Sequence, residues 1–283
     1  MTEQQVTIYT PESLLANPRK MLREMFSDLA GGRELAWRLV VRDISAQYRQ
    51  AFLGILWAFI LPLANTVTWI FLSKSGIVNV ASTTVPYPLY VFTGTMLWAI
   101  FMDALNAPLQ QVNAARGMLA KLNFPREALI VSGIYQTLFN AAIKVALILV
   151  TLVVVGINPG WNLLFFPLGI VSLILVGTTL GLFITPLGML YGDIGRALPL
   201  FMQFLMYITP VVFPMPKGGL AGTLFMLNPI TPLILTARDL LTGQMPQFLT
   251  YYILVNLVMG LFFFVVWMIY RLAMPILIER MSS

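Results

Sequence analysis

The chain has 283 residues, 59% of them hydrophobic and only 10% charged, a balance that excludes an ordinary soluble domain and indicates a polytopic membrane protein. Cysteine and histidine are both absent, which excludes thiol nucleophiles, disulfides, Cys/His metal sites and imidazole acid–base chemistry. The net charge of +6 does not indicate a nucleic-acid partner, because the cations cluster beside apolar runs and suit membrane orientation instead.

The first predicted element is an amphipathic helix over residues 33–50, preceded by a cytoplasmic N-terminal arm of residues 1–32. At 3.6 residues per turn, most of its apolar side chains fall within one arc and its arginines share a narrow neighbouring arc. Such a helix is typical of the membrane interface, where it meets lipid headgroups or protein carboxylates. Leu35 and Leu39 fall outside the apolar arc, which indicates that part of the helix packs on protein. The residues expected to define this interface helix are Trp37, Arg38, Arg42, Tyr48 and Arg49. A generic juxtamembrane helix without a mechanical role is the alternative.

Six stretches are long and apolar enough to cross the hydrocarbon, which needs roughly 20 apolar residues. They cover residues 51–72, 85–106, 128–156, 161–190, 197–213 and 248–270. The apolar piece 220–235 is too short and is interrupted by Asn228-Pro229 and Pro232, so the sequence predicts a re-entrant or periplasmic hairpin there, with a broken surface loop as the alternative. The expected fold is an all-α membrane protein with a six-span domain over 51–270 and a cytoplasmic tail over 271–283.

Lysine and arginine fall unevenly on the two sides of the predicted spans, and this sets the expected orientation. One cation, Lys144, lies inside a span, and three fall on the sparsely charged side: Lys74, Lys217 and Arg238. All the others lie on the opposite side. Because cytoplasmic loops are enriched in Lys and Arg, we expect both termini to be cytoplasmic. Counting 220–235 as a full crossing would export the basic C-terminal end, a second reason to read it as a hairpin.

Three segments resemble ABC transporter permeases that export polysaccharides, the membrane subunits of O-antigen and capsule exporters. They are VRDISAQYRQAFLGILWAFILP at 41–62, GMLAKLNFPRE at 117–127 and YGDIGRAL at 191–198. The resemblance extends along nearly the whole chain, including six spans and the hairpin before the last. It implies a multi-pass protein of the bacterial inner (cytoplasmic) membrane, working as a homodimer with two copies of an ABC nucleotide-binding subunit on a lipid-linked polysaccharide.

The loop at 117–127 is the expected docking element for that ATP-binding subunit. Met118, Leu119 and Leu122 can form a short apolar helix face, and Pro125 ends the helix before the third span. In similar proteins such a compact cytoplasmic element docks on the ATP-binding subunit as a coupling helix. The alternative is a simple cytoplasmic turn, in which the positive-inside rule alone explains the lysine and arginine residues. The residues that the resemblance assigns to coupling are Met118, Leu119, Lys121, Leu122, Phe124, Pro125, Arg126 and, in the second cytoplasmic turn, Asp193.

The chain has no G-x-x-x-x-G-K-[ST] motif, so ATP and Mg²⁺ are expected on the partner subunit, with no cofactor or metal in this chain and no catalytic residue. An ion-coupled secondary transporter is a rival, but within the predicted spans only Asp103 and Lys144 are charged. A lipid-linked sugar transferase would need carboxylates at one membrane surface, and Asp193 and Asp239 are predicted on opposite sides. Export of a teichoic-acid-like polymer, a lipid or a small molecule stays open.

The third span carries four polar residues, each four positions apart, which form one stripe along an apolar helix: Ser132, Gln136, Asn140 and Lys144. Facing water, they would line a route for a hydroxyl-rich chain. Facing protein, they would hydrogen-bond neighbouring helices, which is the interpretation we favour. Lys144 can alternatively extend outward to the interface. In the fourth span, GTTLG at 177–181 has the spacing of close helix packing.

Aromatic side chains are the other candidate substrate surface, because sugar rings present apolar C–H faces that slide across Trp, Tyr and Phe. Interfacial belts and lipid-facing positions explain most aromatic residues in a membrane protein equally well. Together with the polar stripe, the channel candidates are Trp57, Phe59, Trp69, Trp98, Phe101, Gln136, Asn140, Lys144, Phe204 and Tyr207. Six spans with few internal polar groups are expected to share a central route with a second copy rather than enclose one alone.

Overall fold

The computed structural model describes residues 18–49, 56–76, 83–119, 124–216 and 218–282, and within them every regular element is a helix. The first half contains α1 (Pro18–Gly31), α2 (Arg33–Arg49), α3 (Trp57–Lys74), α4 (Tyr87–Ala114), α5 (Arg116–Leu119) and α6 (Glu127–Val155). A 3-10 turn (Gly160–Phe165) leads into α7 (Phe166–Leu190), α8 (Gly192–Tyr207), α9 (Gly219–Leu227), α10 (Ile230–Thr242) and α11 (Leu249–Ser282). The predicted all-α class is confirmed.

The predicted count of six spans is not confirmed by the described residues. Four helices are long and apolar enough to cross a membrane, namely α4, α6, α7 with its 3-10 turn, and α11. A fifth span results if α9 and α10, which meet at 85°, are taken as one broken crossing. The two predicted spans that fall short are α3, whose preceding residues 51–55 lie outside the described residues, and α8, which has 16 residues.

The predicted span over 197–213 is wrong in its bounds. The helix begins at Gly192, one residue after α7, and ends at Tyr207, so the last six residues of the prediction form turns. Pro210 explains the early end, because proline has no N–H to continue the ladder and disfavours a helical conformation at the preceding residue. Apolar composition alone does not reveal this break.

The interface helix forms where predicted, but the side chains that it buries include residues outside the predicted apolar arc. Ala36, Leu39 and Val40 of α2 are buried, and α2 packs on the start of α6. Trp37 remains 60% exposed and meets Tyr135 of α6 edge to face, with ring centroids 6.2 Å apart. The expectation that Leu39 packs on protein is confirmed. The side chains of Tyr48 and Arg49 lie outside the described residues.

The core is built around α4, which is in contact with α3, α6, α7 and α10. Glycines in α7 let that helix approach α4 closely. A Cβ at Gly177 would lie 2.6 Å from the Ala104 Cβ, and one at Gly181 would lie 2.3 Å from the Leu105 carbonyl oxygen. The GTTLG segment is therefore a packing element, as predicted.

A candidate coupling face and a polar seam

The segment predicted to dock an ATP-binding subunit forms a short helix directly after α4. Leu119 of α5 is buried and Met118 is half-buried against the same apolar cluster, which also holds Phe124 at its edge. Arg42 of α2 donates from Nη1 to the Met118 sulfur at 3.6 Å, and its guanidinium also pairs with Asp43. The interface helix and α5 thus form one surface, which we call the coupling face. Lys121 and Leu122 lie outside the described residues.

The ends of the neighbouring helices complete this side of the molecule. Pro125 precedes the first turn of α6, which begins at Glu127. Residues 120–123 lie outside the described residues, so the expectation that Pro125 ends the preceding short helix stays a prediction. Arg126 is half-exposed beside it. Asp193, in the first turn of α8, is fully solvent-facing and lies 3.9 Å from Arg196, a spacing and exposure at which an ion pair contributes little.

An ionic cluster that the sequence did not reveal joins three distant helices next to the coupling face. Arg271 of α11 lies 2.8 Å from Asp28 and 3.4 Å from Glu24, both on α1, and also pairs with Glu127 at the start of α6. Buried Met25 of α1 packs in the same cluster as α11. The spacing of the two α1 acids, four residues apart, was the available signal, but it did not identify their partner.

Three of the four residues of the polar stripe on α6 contact polar side chains of α4. Ser132 Oγ donates to the Gln111 carboxamide oxygen at 2.9 Å, and Gln111 Nε2 donates to Gln136 Oε1 at 2.6 Å. Further along the same two helices, Lys144 Nζ lies 2.6 Å from Asp103 Oδ2. The favoured interpretation, hydrogen bonding to a neighbouring helix, is confirmed for these residues, which form what we call the polar seam.

The Lys144–Asp103 pair is only partly shielded, with 14% and 31% of the two side chains exposed. Lys144 therefore does not extend outward alone, since its charge is neutralised inside the protein. A cleft of about 60 Å³ opens between the two contacts of the seam. It is lined by Asp103, Asn106, Ala107, Gln110, Gln136, Thr137 and Asn140.

The aromatic channel candidates divide into buried and exposed residues. Trp98 and Phe101 lie in the core of the protomer, with ring centroids 5.3 Å apart, and their assignment to a channel surface is corrected here because other helices cover them. In contrast, Trp57 of α3 and Phe204 and Tyr207 of α8 are exposed. The Phe59 side chain lies outside the described residues. Trp69 contacts Tyr207, which brings α3 beside α8.

Acidic side chains do not assemble into a metal centre in the described part of the chain. No group of three or more Asp and Glu residues there has a geometry that could hold a metal ion. Three carboxylates, those of Glu24, Asp28 and Glu127, instead surround the guanidinium of Arg271.

The sequence profile of ABC-2 type transporters matches residues 34–242. The chain belongs to the ABC-2 type transporter family. The match runs from the interface helix to the end of α10, so it includes the coupling face, the polar seam and the bent pair α9–α10. Helices α1 and α11, which Arg271 joins, lie outside the matched residues.

Among known members of the ABC-2 family, two relatives align over most of the chain. The O-antigen export system permease protein RfbA of Myxococcus xanthus is 25% identical over 224 residues, which are 76% of this chain and 81% of the relative. The polysialic acid transport protein KpsM of Escherichia coli is 24% identical over 237 residues, covering 79% of this chain and 89% of the relative. The predicted family resemblance is thereby confirmed.

Proposed function

We propose that this ABC-2 transporter chain is the transmembrane subunit of an ATP-driven exporter that moves a lipid-linked polysaccharide across the bacterial inner membrane. Two relatives that cover most of the chain are named for O-antigen export and polysialic acid transport, which supports a polysaccharide substrate. The sequence has no phosphate-binding loop of its own, so two copies of a separate nucleotide-binding subunit supply ATP hydrolysis and bind Mg²⁺. The protein itself is a non-catalytic permease.

The proposed topology has six spans and cytoplasmic termini. The first crossing includes α3, the fifth includes α8, and α9 and α10 form a hairpin on the outer side. The 85° bend between these two helices supports a hairpin, because a continuous crossing would keep one axis. The clustering of Arg42, Arg126 and Arg271 at one end of the bundle supports a cytoplasmic location for the coupling face.

The polysaccharide route is proposed to lie between two protomers. The exposed aromatic residues Trp57, Phe204 and Tyr207 on α3 and α8 offer a surface on which sugar rings can slide, whereas the polar seam is engaged within one protomer. The lipid carrier enters beside α2, where exposed Trp37 suits the interface. Membrane lipid covers the remaining apolar surface.

The observation that carries this proposal is the coupling face, in which α5 is held against the interface helix by Arg42. A soluble motor can move the spans only through a cytoplasmic surface that is rigidly attached to them. Leu119 provides that attachment because it is buried among side chains of α4, α6 and α11. A displacement of α5 is therefore transmitted directly to the packed spans.

A Met118→Glu substitution is expected to abolish co-purification of the nucleotide-binding subunit and polysaccharide export, while membrane insertion is retained. The carboxylate replaces apolar docking surface but lies next to Arg42, which can pair with it, so the fold is preserved. Affinity purification of the tagged chain from membranes, followed by detection of the ATPase subunit, measures the effect.

Met245→Glu is the matched control, since Met245 is 88% exposed in the turn between α10 and α11, at the opposite end of the bundle. It should leave the complex and export unchanged. Equal recovery of the ATPase subunit with both variants would contradict the assigned role of α5. Transport by the purified chain without nucleotide would instead favour an ion-coupled secondary transporter.

A further inference from the structure

The segment after α8 leaves the helical hydrogen-bond pattern in the interior of the protein. Residues 208–213 form turns, and Thr209, Val211 and Val212 are buried. Carbonyl oxygens that leave a helix inside an apolar environment need donors, because each unsatisfied group is costly where water is absent.

The donor is Arg238, which the charge pattern had assigned to the sparsely charged side of the membrane. It lies within α10 and is only 2% exposed. Its Nη1 donates to the Pro210 carbonyl at 2.8 Å, and its Nη2 donates to the Val211 carbonyl at 3.0 Å. One planar guanidinium thus satisfies two successive carbonyls of this segment.

Helix α4 completes the environment of this guanidinium. The Arg238 Cζ lies 3.7 Å from the centre of the Tyr90 ring, and Nη2 lies 3.4 Å from the Tyr90 carbonyl oxygen. The Tyr90 hydroxyl is itself 3.2 Å from the Pro210 carbonyl oxygen. A Cβ at Gly94 would lie 2.1 Å from the Val211 oxygen and 2.3 Å from Nη2, so glycine is required there.

Backbone carbonyl dipoles and the face of the Tyr90 ring stabilise the charge of Arg238. In the described part of the chain no carboxylate lies within ion-pair distance of it, and neighbouring Asp239 accepts instead from the Gln247 backbone N–H at 3.3 Å. An uncompensated buried charge is costly, and an apolar side chain of similar size would fill the same volume without that cost. Its presence at this depth therefore indicates a positional role.

Two further contacts extend the assembly to the hairpin and to α3. Asn228, between α9 and α10, donates from Nδ2 to Thr209 Oγ1 at 2.7 Å and to the Ile208 carbonyl at 3.2 Å. On the other side, Trp69 of α3 meets Phe213 edge to face at 5.2 Å. The segment 208–213 is consequently joined to α3, α4 and α10 and to the turn between α9 and α10.

We propose that Arg238 is a positioning residue that locks the end of α8, the bent pair α9–α10 and the start of α4 into one latch at the outer end of the bundle. The latch makes these elements move together, so that α8, with its exposed Phe204 and Tyr207, changes position only when the hairpin does. Its link to a polysaccharide route rests on the proposed function, whereas the mechanical unit itself does not.

The test uses two variants that disturb the latch from different helices, Arg238→Met on α10 and Gly94→Ala on α4. Gly260→Ala on α11 is the control, because a Cβ there meets nothing within 4 Å. Hydrogen–deuterium exchange with mass spectrometry is measured on the complex with its ATPase subunit in lipid nanodiscs. Polysaccharide export and ATP hydrolysis are measured on the same variants.

Both latch variants are expected to accelerate amide exchange about tenfold within residues 205–227, since charge-assisted hydrogen bonds that oppose local opening are lost. Exchange in α7 and α11 should stay unchanged, and export per ATP hydrolysed should fall. Unaltered exchange in 205–227, or acceleration along the whole chain, would overturn the latch. If the Arg238→Met variant does not insert into the membrane, amide exchange within residues 205–227 of the Gly94→Ala variant tests the latch by the same criteria. A wild-type complex that exports no polysaccharide would refute the proposed function and leave the exchange result to decide the latch.

Discussion

Replacing Gly181 by valine is expected to remove most of the folded protein from the membrane. The new side chain would drive into the Leu105 carbonyl, which lies 2.3 Å from the Cβ position, and a backbone group cannot rotate out of the way. Overpacking of this kind costs about 3 kcal/mol, and more where backbones are in contact. The yield of monodisperse protein after detergent extraction and its thermal unfolding midpoint measure the loss.

Gly260→Val separates this contact from the general effect of a β-branched residue in a helix. Gly260 lies in α11, where an added Cβ meets nothing within 4 Å, so valine there changes helix propensity alone. The control should retain a yield close to that of the unsubstituted protein. A similar loss in both variants would mean that the α4–α7 contact does not depend on Gly181.

The second large effect is expected at the polar seam. Lys144→Met removes the partner of Asp103 and leaves a partly shielded carboxylate between α4 and α6, with 31% of its side chain exposed. Deleting one member of a fully buried ion pair costs about 3 kcal/mol, and here we expect about 1–2 kcal/mol, because water reaches part of the remaining charge. Unfolding of the purified protein in mixed micelles with increasing denaturing detergent measures this change.

The double variant Asp103→Leu with Lys144→Met should recover most of the lost stability, since neither charge is then left without its partner. A double-mutant cycle over the four proteins gives the coupling between the two side chains. If the stability losses of the two single variants add up to the loss of the double variant, the 2.6 Å contact between the two side chains contributes no stability of its own. Such a result would also reopen the interpretation of the stripe as a water-facing surface.

Several elements could be predicted from the sequence because nearby residues alone determine where they begin and end. The amphipathic period predicted a helix at 33–50, and the structure has one over Arg33–Arg49. Pro125 marked the end of the loop before α6, and Asn228-Pro229 marked the break between α9 and α10. In each case the backbone chemistry of nearby residues sets the boundary, whatever the rest of the chain does.

The residues that the sequence did not assign are those whose partners lie far along the chain. Arg238 was counted as a charge on the sparsely charged side, yet it is buried against Tyr90, 148 residues earlier. Arg271 was counted as part of a basic tail, yet it pairs with Asp28, 243 residues earlier. Charge counting predicts an orientation but not the position of each side chain, because it treats every lysine and arginine as solvent-facing.

The aromatic content of the sequence likewise did not predict which aromatic side chains are buried. Trp98 and Phe101 look the same in sequence as Phe204 and Tyr207, but the first two are covered by neighbouring helices and the last two are exposed. An apolar helix in a membrane can turn either face toward protein, since lipid and core side chains are alike in polarity. The pattern of hydrophobic residues therefore could not decide which aromatic residues remain available to a substrate.

By itself, the sequence determined that this is a helical membrane protein, that an apolar segment is interrupted at Asn228-Pro229, and which family the chain resembles. Those properties follow from transfer of apolar residues into lipid and from backbone chemistry, both of which act over a few residues. Only the tertiary structure decided that the α6 stripe faces α4 and that Arg238 holds the segment after α8. These depend on helix packing, in which glycine contacts and paired polar groups select one arrangement among many of equal hydrophobicity.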